Sequence, residues 1–291
     1  MQRLTSILFS LLLATRLFAQ APEPAHNLDY WAQDLKSRIT LGGFIQAGYT
    51  ATDLDGTRTN TLDMKRAIVY ARARVTDRWS FFFMHDFGSQ VQEFYTDFRI
   101  TQGKQMNIRI GQFKNQLSLE NPVIPTILEL VDICSQSVTY YAGCGSDPLF
   151  GINYGRDLGI DLYGELMNGK LLYNIELMNG SGVNVRDRDN KKNLIVKLEY
   201  RPMPGLRLVT SSQKGYGTSL VGSSVYIPEE NTIAVGETYR RDRWTVGAEY
   251  KAGQNDYWKN RCFSVRGELL GWQTQFVWWI CNCFHSSQGM S

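Results

Sequence analysis

From Arg38 onward, apolar and polar residues alternate with a period of two in one window after another. In the window 66–75, one face of an extended chain carries only Ala and Val, and the other carries three arginines together with Ile68 and Tyr70. The same alternation recurs at 106–111, 157–163, 171–177, 194–201 and 244–251. A helix would need apolar residues at spacings of three and four, which these windows lack. The pattern therefore predicts strands with one apolar and one polar face.

The links between these predicted strands alternate in length. Short links fall at 76–78, 102–105, 167–170, 202–205 and 240–243. Longer polar links fall between them, at 53–61, 88–93, 113–154, 180–192, 215–231 and 252–259. A membrane barrel sorts its connections in this way, with short periplasmic turns and longer outer loops, whereas a soluble sandwich has no reason to do so. We predict an all-β, antiparallel transmembrane β-barrel with about 12 visible strands, and a secreted β-sandwich is the alternative.

The first 21 residues have the layout of a secretory signal peptide. Arg3 supplies a positive start, residues 7–14 form a short apolar core, and Ala19 and Ala21 are small residues suited to cleavage. The apolar run is shorter than the roughly 18–20 residues that a membrane helix needs. We predict a signal peptide at 1–21, cut after Ala19 or Ala21, a periplasmic segment at 22–37, the barrel at 38–270 and an anomalous tail at 271–291.

Composition excludes several classes of protein. With 43% hydrophobic residues the chain is not disordered, and a formal net charge of +3 gives no reason to expect nucleic acid as a partner. His85 and Asp86 are neighbours on a predicted strand and point to opposite faces, so they do not form a catalytic pair. We expect no enzymatic activity, metal or cofactor. Cys134 and Cys144 lie ten residues apart in one loop, either as a disulfide or as two thiols.

Three passages carry a family resemblance. They are Asp63-Met64-Lys65-Arg66-Ala67 with Val75-Thr76-Asp77-Arg78-Trp79, then Ile110-Gly111-Gln112-Phe113-Lys114 running into Leu117-Ser118-Leu119-Glu120, and Gly155-Arg156-Asp157-Leu158-Gly159-Ile160. In this order they resemble the phosphate-selective porin O and P family of Gram-negative outer membranes, over about 38–270. The resemblance implies a homotrimeric channel that admits small anions such as phosphate, inserted into outer-membrane lipid by the barrel assembly machinery. The family's dense Arg-x-Arg-x-Arg run on a later strand is missing, and only Arg72-x-Arg74 is similar, on a different strand.

The link 113–154 is the third outer loop and by far the longest. It is too apolar to be a solvated tip, and long loops in compact domains are usually functional. We predict that it folds toward the lumen and narrows the pore. The residues assigned to this constriction are Glu120, Pro122, Pro125, Glu129 and Asp132. The alternative is a surface loop that packs on its neighbours in a trimer.

Five arginines are candidates to line a pore. Arg66, Arg72 and Arg74 share one strand face, and Arg99 and Arg109 face the same side of the following strands. On the lipid face an arginine would cost roughly 2–4 kcal/mol near the bilayer midplane, so these side chains should face water. Acidic residues are also predicted for the lumen: Asp86, Asp97, Asp157, Asp161, Glu165, Glu176, Glu199, Glu249 and Glu268. Since acid and base nearly balance, the pattern supports a channel more firmly than it supports phosphate selectivity.

The tail departs from this pattern. Residues 269–291 contain no Asp, Lys or Arg and no Glu, and 278–284 break the alternation. We hypothesise that the reading frame shifts near Gly271 and shortens the natural barrel, which could leave a non-functional truncated porin. The main functional prediction is a porin for passive diffusion of small hydrophilic or anionic solutes. The alternative is a surface-binding or adhesion barrel acting through loops such as 185–192, and conductance separates the two.

Overall fold

The computed structural model divides the chain into two units, Met1–Ile39 and Thr40–Ser291. It describes residues 34, 36–54, 56–123, 146–147, 151–152, 155–187, 190–216, 219–221, 224–226, 229–241, 244–254, 259–269 and 275–284. In the first unit, Arg38 Nε donates to Asp34 at 2.9 Å. The signal peptide and the periplasmic segment otherwise lie outside the described residues, and their bounds stay predictions.

The second unit is built from strands. They are β1 (Ile39–Leu54), β2 (Thr57–Arg74), β3 (Trp79–Asp86), β4 (Val91–Arg99), β5 (Asn107–Lys114), β6 (Ser146–Asp147), β7 (Gly151–Ile152), β8 (Arg156–Leu166), β9 (Leu171–Met178), β10 (Asn193–Tyr200), β11 (Leu206–Tyr216), β12 (Ser219–Val221), β13 (Ser224–Tyr226), β14 (Glu229–Arg241), β15 (Trp244–Gln254), β16 (Lys259–Leu269) and β17 (Gln275–Phe284). Thirteen of them form one sheet in the order β1-β2-β3-β4-β5-β8-β9-β10-β11-β14-β15-β16-β17. The pairs β6-β7 and β12-β13 form separate two-stranded sheets, inserted in the loops after β5 and β11. Each long strand thus pairs with the next one along the chain, which is the up-and-down topology of membrane barrels.

The tightest predicted connection has the expected backbone. A single 3-10 turn at Met167–Gly169 joins β8 to β9. Asn168 has φ 56° and Gly169 has φ 82°, the positive values that make Asn-Gly the strongest hairpin dipeptide. The sheet also continues past the predicted barrel boundary at residue 270, because β17 pairs antiparallel with β16.

Burial in the sheet is the reverse of burial in a soluble protein. On β10, the polar residues Lys197 and Glu199 are buried, whereas Leu194, Leu198 and Tyr200 are 44%, 43% and 40% exposed. The same inversion holds on β8 and β15. Strands that turn apolar side chains outward and polar side chains inward are typical of membrane barrels. No helix among the described residues is long and apolar enough to cross a membrane.

Gly111, within one of the family-like passages, is required by the packing of β5 on β4. Its φ is 136°, and a Cβ there would lie 2.3 Å from the Phe94 carbonyl oxygen and 2.6 Å from Tyr95 Cα. We expect Gly111→Ala to lower the free energy of unfolding by roughly 1–3 kcal/mol, because the backbone must shift to admit the methyl group. The loss of stability is measured by heating samples in steps and running them on a denaturing gel without boiling. The temperature at which the folded band disappears should be lower in the variant.

Gly88→Ala is the matched control, since the nearest atom to its added Cβ is a side-chain oxygen of Asp86 at 3.4 Å. An equal loss of heat resistance in both variants would contradict the argument for Gly111.

Candidate functional site: the inner face of the sheet

The arginines of β2 share the inner face, which we define as the face that carries the buried polar side chains. Arg72 and Arg74 alternate with the outward-facing Ala71 and Ala73. Backbone register aligns Arg74 with Ser80, Ser80 with Asp97, and Asp97 with Arg109. All five predicted arginines therefore lie on one face of β2, β4 and β5.

Arg109 is neutralised by a carboxylate, that of Asp97. Its Nε donates to Asp97 Oδ1 at 2.9 Å, and its Nη2 donates to Asp97 Oδ2 at 3.3 Å. The guanidinium carbon lies 4.1 Å from the ring centroid of Tyr95 and 5.2 Å from that of Tyr163. Such a bidentate pair, stacked on aromatic rings, is rigid and presents little free charge to the interior.

Arg72, Arg74 and Arg99 remain exposed and form no ion pair within the described part of the chain. The guanidinium carbon of Arg72 lies 5.3 Å from the ring centroid of Phe82. Arg66, farther along β2, donates to the side-chain oxygen of Gln46 on β1. Arg72, Arg74 and Arg99 thus place three exposed guanidinium groups, with no ion pair among the described residues, on β2 and β4.

The chain that follows β5 crosses the inner face of the sheet and reaches strands that come much later in the sequence. We call Asn115–Val123 the crossing segment. Its backbone donates to side chains of three distant strands: Gln116 N to Glu176 Oε2 of β9 at 3.0 Å, Ser118 N to Ser211 Oγ of β11 at 2.9 Å, and Leu119 N to Glu249 Oε1 of β15 at 2.8 Å. Because these acceptors lie on the inner face, at every second strand from β9 to β15 in the order of the sheet, the segment runs through the interior of the barrel.

Side chains fasten both ends of the crossing segment. Asn121 Nδ2 donates to the carbonyl oxygens of Asn115 at 2.8 Å and Gly155 at 3.0 Å, which ties the end of the segment to its start and to the beginning of β8. The hydroxyl of Ser118 accepts from the backbone of Glu120 and Asn121. Sequence reasoning missed these two anchors, since Asn and Ser in a loop carry no distinguishing pattern.

The predicted constriction residues are described only in part. Within the crossing segment, Glu120 is 2% exposed and Pro122 is half-buried, and their role in a constriction stays a prediction. The remaining predicted loop residues lie outside the described part of the chain: Pro125, Glu129, Asp132, Cys134 and Cys144. Their predicted roles, including the disulfide, stay predictions.

The acidic residues predicted for the lumen are mostly withdrawn from water. The carboxylates of β8, β9, β10 and β15 on the inner face are at most 4% exposed: Asp161, Glu176, Glu199 and Glu249. Glu199 accepts from Arg201 at 2.6 Å and from Arg207 at 2.8 Å, and Glu249 pairs with Lys251 at 2.7 Å.

The remaining predicted acids are held by local contacts. Asp157 accepts from the backbone of Gly180 and Gly182, and Asp86 accepts from that of Ala67 and Gly88. Glu165 Oε1 lies 3.6 Å from Lys104 Nζ. The side chain of Glu268 is not among those that the structure describes. By sequence, the acidic and basic residues of the interior are nearly equal in number. In the structure most of the acids are buried or paired, so the exposed part of the interior carries more positive than negative charge.

Solved structures with the same architecture are outer-membrane channels. The anion-selective porin from Comamonas acidovorans matches with a TM-score of 0.55 and 12% identity, over 80% of this chain and 74% of that chain. The chain has a porin fold. Weaker matches include OmpT of Vibrio cholerae, with a TM-score of 0.48 and 14% identity over 84% of this chain and 76% of that one. DcaP of Acinetobacter baumannii matches with a TM-score of 0.44 and 12% identity, over 84% of this chain and 92% of that chain.

The porin fold confirms the predicted antiparallel barrel, and the crossing segment confirms that the third loop turns toward its lumen. No family model matches the chain, and no curated protein does either. The finer resemblance to phosphate-selective porins and the frameshift near Gly271 stay predictions. Within this porin fold, the interior has two unlike sides: exposed arginines on β2 and β4, and buried or paired carboxylates beneath the crossing segment.

Proposed function

We propose that the protein is an outer-membrane channel of a Gram-negative bacterium that lets small hydrophilic solutes diffuse passively and prefers anions. The observation that carries the anion preference is a contrast on the inner face. Arg72, Arg74 and Arg99 are exposed and have no ion-pair partner among the described residues, whereas the inner carboxylates are buried or paired. Fixed charges on a narrow, low-dielectric passage concentrate ions of opposite sign. Rings or columns of Arg and Lys select anions in this way.

The crossing segment supports the same proposal by limiting the route of a solute. Glu176 on β9, Ser211 on β11 and Glu249 on β15 are buried around the segment, whereas Arg72 and Arg74 on β2 and Arg99 on β4 are exposed. A solute that enters the interior therefore meets the exposed arginines rather than the carboxylates. An anion can bind to these three guanidinium groups one after another, because none of them pairs with a carboxylate among the described residues. Several weak sites in sequence favour passage over tight binding.

Phosphate as the favoured anion and a homotrimeric assembly belong to the same proposal, as implications of the family resemblance. Guanidinium groups pair with phosphate through two parallel hydrogen bonds, so phosphate chemistry fits Arg72, Arg74 and Arg99. Insertion by the barrel assembly machinery after signal-peptide removal completes the proposed route to the membrane.

The reversal potential in a planar bilayer under a KCl gradient tests the proposal. We expect the sign of the wild-type reversal potential to show that anions permeate more readily than cations. The triple variant Arg72→Gln, Arg74→Gln, Arg99→Gln should lose most of that preference. A control triple variant removes the same charge elsewhere, at Arg58, Arg186 and Lys214, and should keep the wild-type potential. Adding inorganic phosphate to one side then tests whether phosphate competes with chloride.

Two outcomes would overturn the proposal. A cation-selective wild type would remove the anion preference while leaving a channel. Folded protein that gives no conductance would remove the channel itself and favour the surface-binding alternative.

A further inference from the structure

The outer face of the sheet carries a groove between β10 and β15. Its volume is about 610 Å³, within the roughly 300–1,000 Å³ that small-molecule sites occupy. Leu198 and Tyr200 line one side and Tyr250 lines the other, with Thr210 and Ala248 between them. Because these side chains belong to the apolar outward face, the groove opens toward lipid.

A single exposed carboxylate interrupts the apolar lining of this groove among the described residues. Glu237 on β14 is exposed, and backbone register places it between Leu208 of β11 and Ala248 of β15. It forms no hydrogen bond or ion pair within the described part of the chain. A charged side chain on the lipid face of a barrel strand is destabilising unless it lies near the interface or has a partner.

The position of Glu237 along β14 places it in the half of the membrane that adjoins the rim at Arg241. It precedes Arg241, the end of β14, by four residues, which is about 13 Å along a strand. Trp244, just after that end, is 60% exposed on the same face, and exposed aromatic residues mark the interfacial girdles of barrels. The rest of the groove extends from Glu237 toward Val235 and Tyr250, away from this rim.

We propose that this groove binds one phospholipid whose head group carries an ammonium. The Glu237 carboxylate accepts a hydrogen bond from the ammonium, and an acyl chain lies over Thr210 and Ala248 between the larger side chains. Charge complementarity selects this occupant, because an anionic head group would be repelled by the carboxylate. A second copy of the chain could occupy the groove only if it placed a positively charged side chain at the depth of Glu237 in the membrane. The proposal rests on the barrel fold and not on anion passage, so reversal potentials and lipid binding can fail independently.

Native mass spectrometry of the folded protein, released from vesicles that contain equal parts of phosphatidylethanolamine and phosphatidylglycerol, tests the proposal. We expect the wild type to retain one phosphatidylethanolamine in preference to phosphatidylglycerol. Glu237→Gln should weaken that retention about tenfold, the change that one lost charge-assisted hydrogen bond produces. Ala248→Phe, which fills the floor of the groove, should abolish it.

Val246→Phe is the matched control, because Val246 is exposed on the same face of the same strand but lies outside the groove. Equal retention of both lipids by the wild type, or unchanged retention in Glu237→Gln and Ala248→Phe, would overturn the proposal. Loss of an oligomer in Glu237→Gln, with no bound lipid in the wild type, would also overturn it and assign the groove to a second copy of the chain.

Discussion

Replacing residues 116–120 with a Gly-Ser linker of equal length is expected to raise single-channel conductance several-fold and to abolish the anion preference. The replaced residues include Leu117 and Leu119, which are 1% and 2% exposed in the middle of the barrel. Without them, the interior widens on the side of β9 to β15. Water then reaches Glu176, and its charge opposes that of the arginines.

Planar-bilayer recording of conductance and reversal potential measures both effects in one experiment. Asn115 and Asn121 are kept so that the tie to Gly155 is preserved. The control replaces 56–60, the turn residue Gly56 and the first residues of β2, with the same linker. If conductance stays at the wild-type value in the 116–120 variant, the crossing segment does not limit the pore.

Lys251→Met is expected to destabilise the folded barrel strongly. Lys251 and Glu249 are 1% and 3% exposed, with 2.7 Å between Nζ and Oε2. Removing one partner leaves the other charge buried, which costs roughly 3–5 kcal/mol. On a denaturing gel of samples heated in steps, the folded band of this variant should disappear at a markedly lower temperature.

Adding Glu249→Gln to Lys251→Met should recover much of the loss. The double variant has no unpaired charge, and the amide oxygen can still accept the hydrogen bond from Leu119 N. Lys214→Met, on the exposed face of β11, serves as the control and should behave like the wild type. A double variant as unstable as Lys251→Met would show that the loss arises from packing and not from the unpaired carboxylate.

The sequence predicted the sheet well because strand structure depends on local patterns. Alternation with a period of two placed Arg72 and Arg74 on one face, and the lengths of the links separated short turns from long loops. The uncharged stretch after 270 was a different case. It lacks the alternation, and 275–284 nevertheless pairs with β16 as a strand, since backbone hydrogen bonds in a sheet do not require a side-chain pattern. The frameshift near Gly271 stays a prediction.

The candidate site was only partly predictable, because its properties arise from contacts between residues far apart in the chain. Gln116, Ser118 and Leu119 meet acceptors that are 60, 93 and 130 residues away. The sequence identified the loop as one that turns inward, but no periodicity specifies which carboxylates it covers. Likewise, Asp97 was expected to line the pore, and it was cross-strand register that brought it to Arg109 as an ion-pair partner.

The sequence by itself determined the class of protein: an antiparallel membrane barrel whose polar face carries a set of arginines. That information is local, because a strand's two faces and a turn's length are fixed by residues close together in the chain. Only the tertiary structure decided which charges are available to a solute. Arg72, Arg74 and Arg99 stay open while Glu176 and Glu249 are buried, because the crossing segment brings its backbone donors to the carboxylates and leaves the arginine wall uncovered.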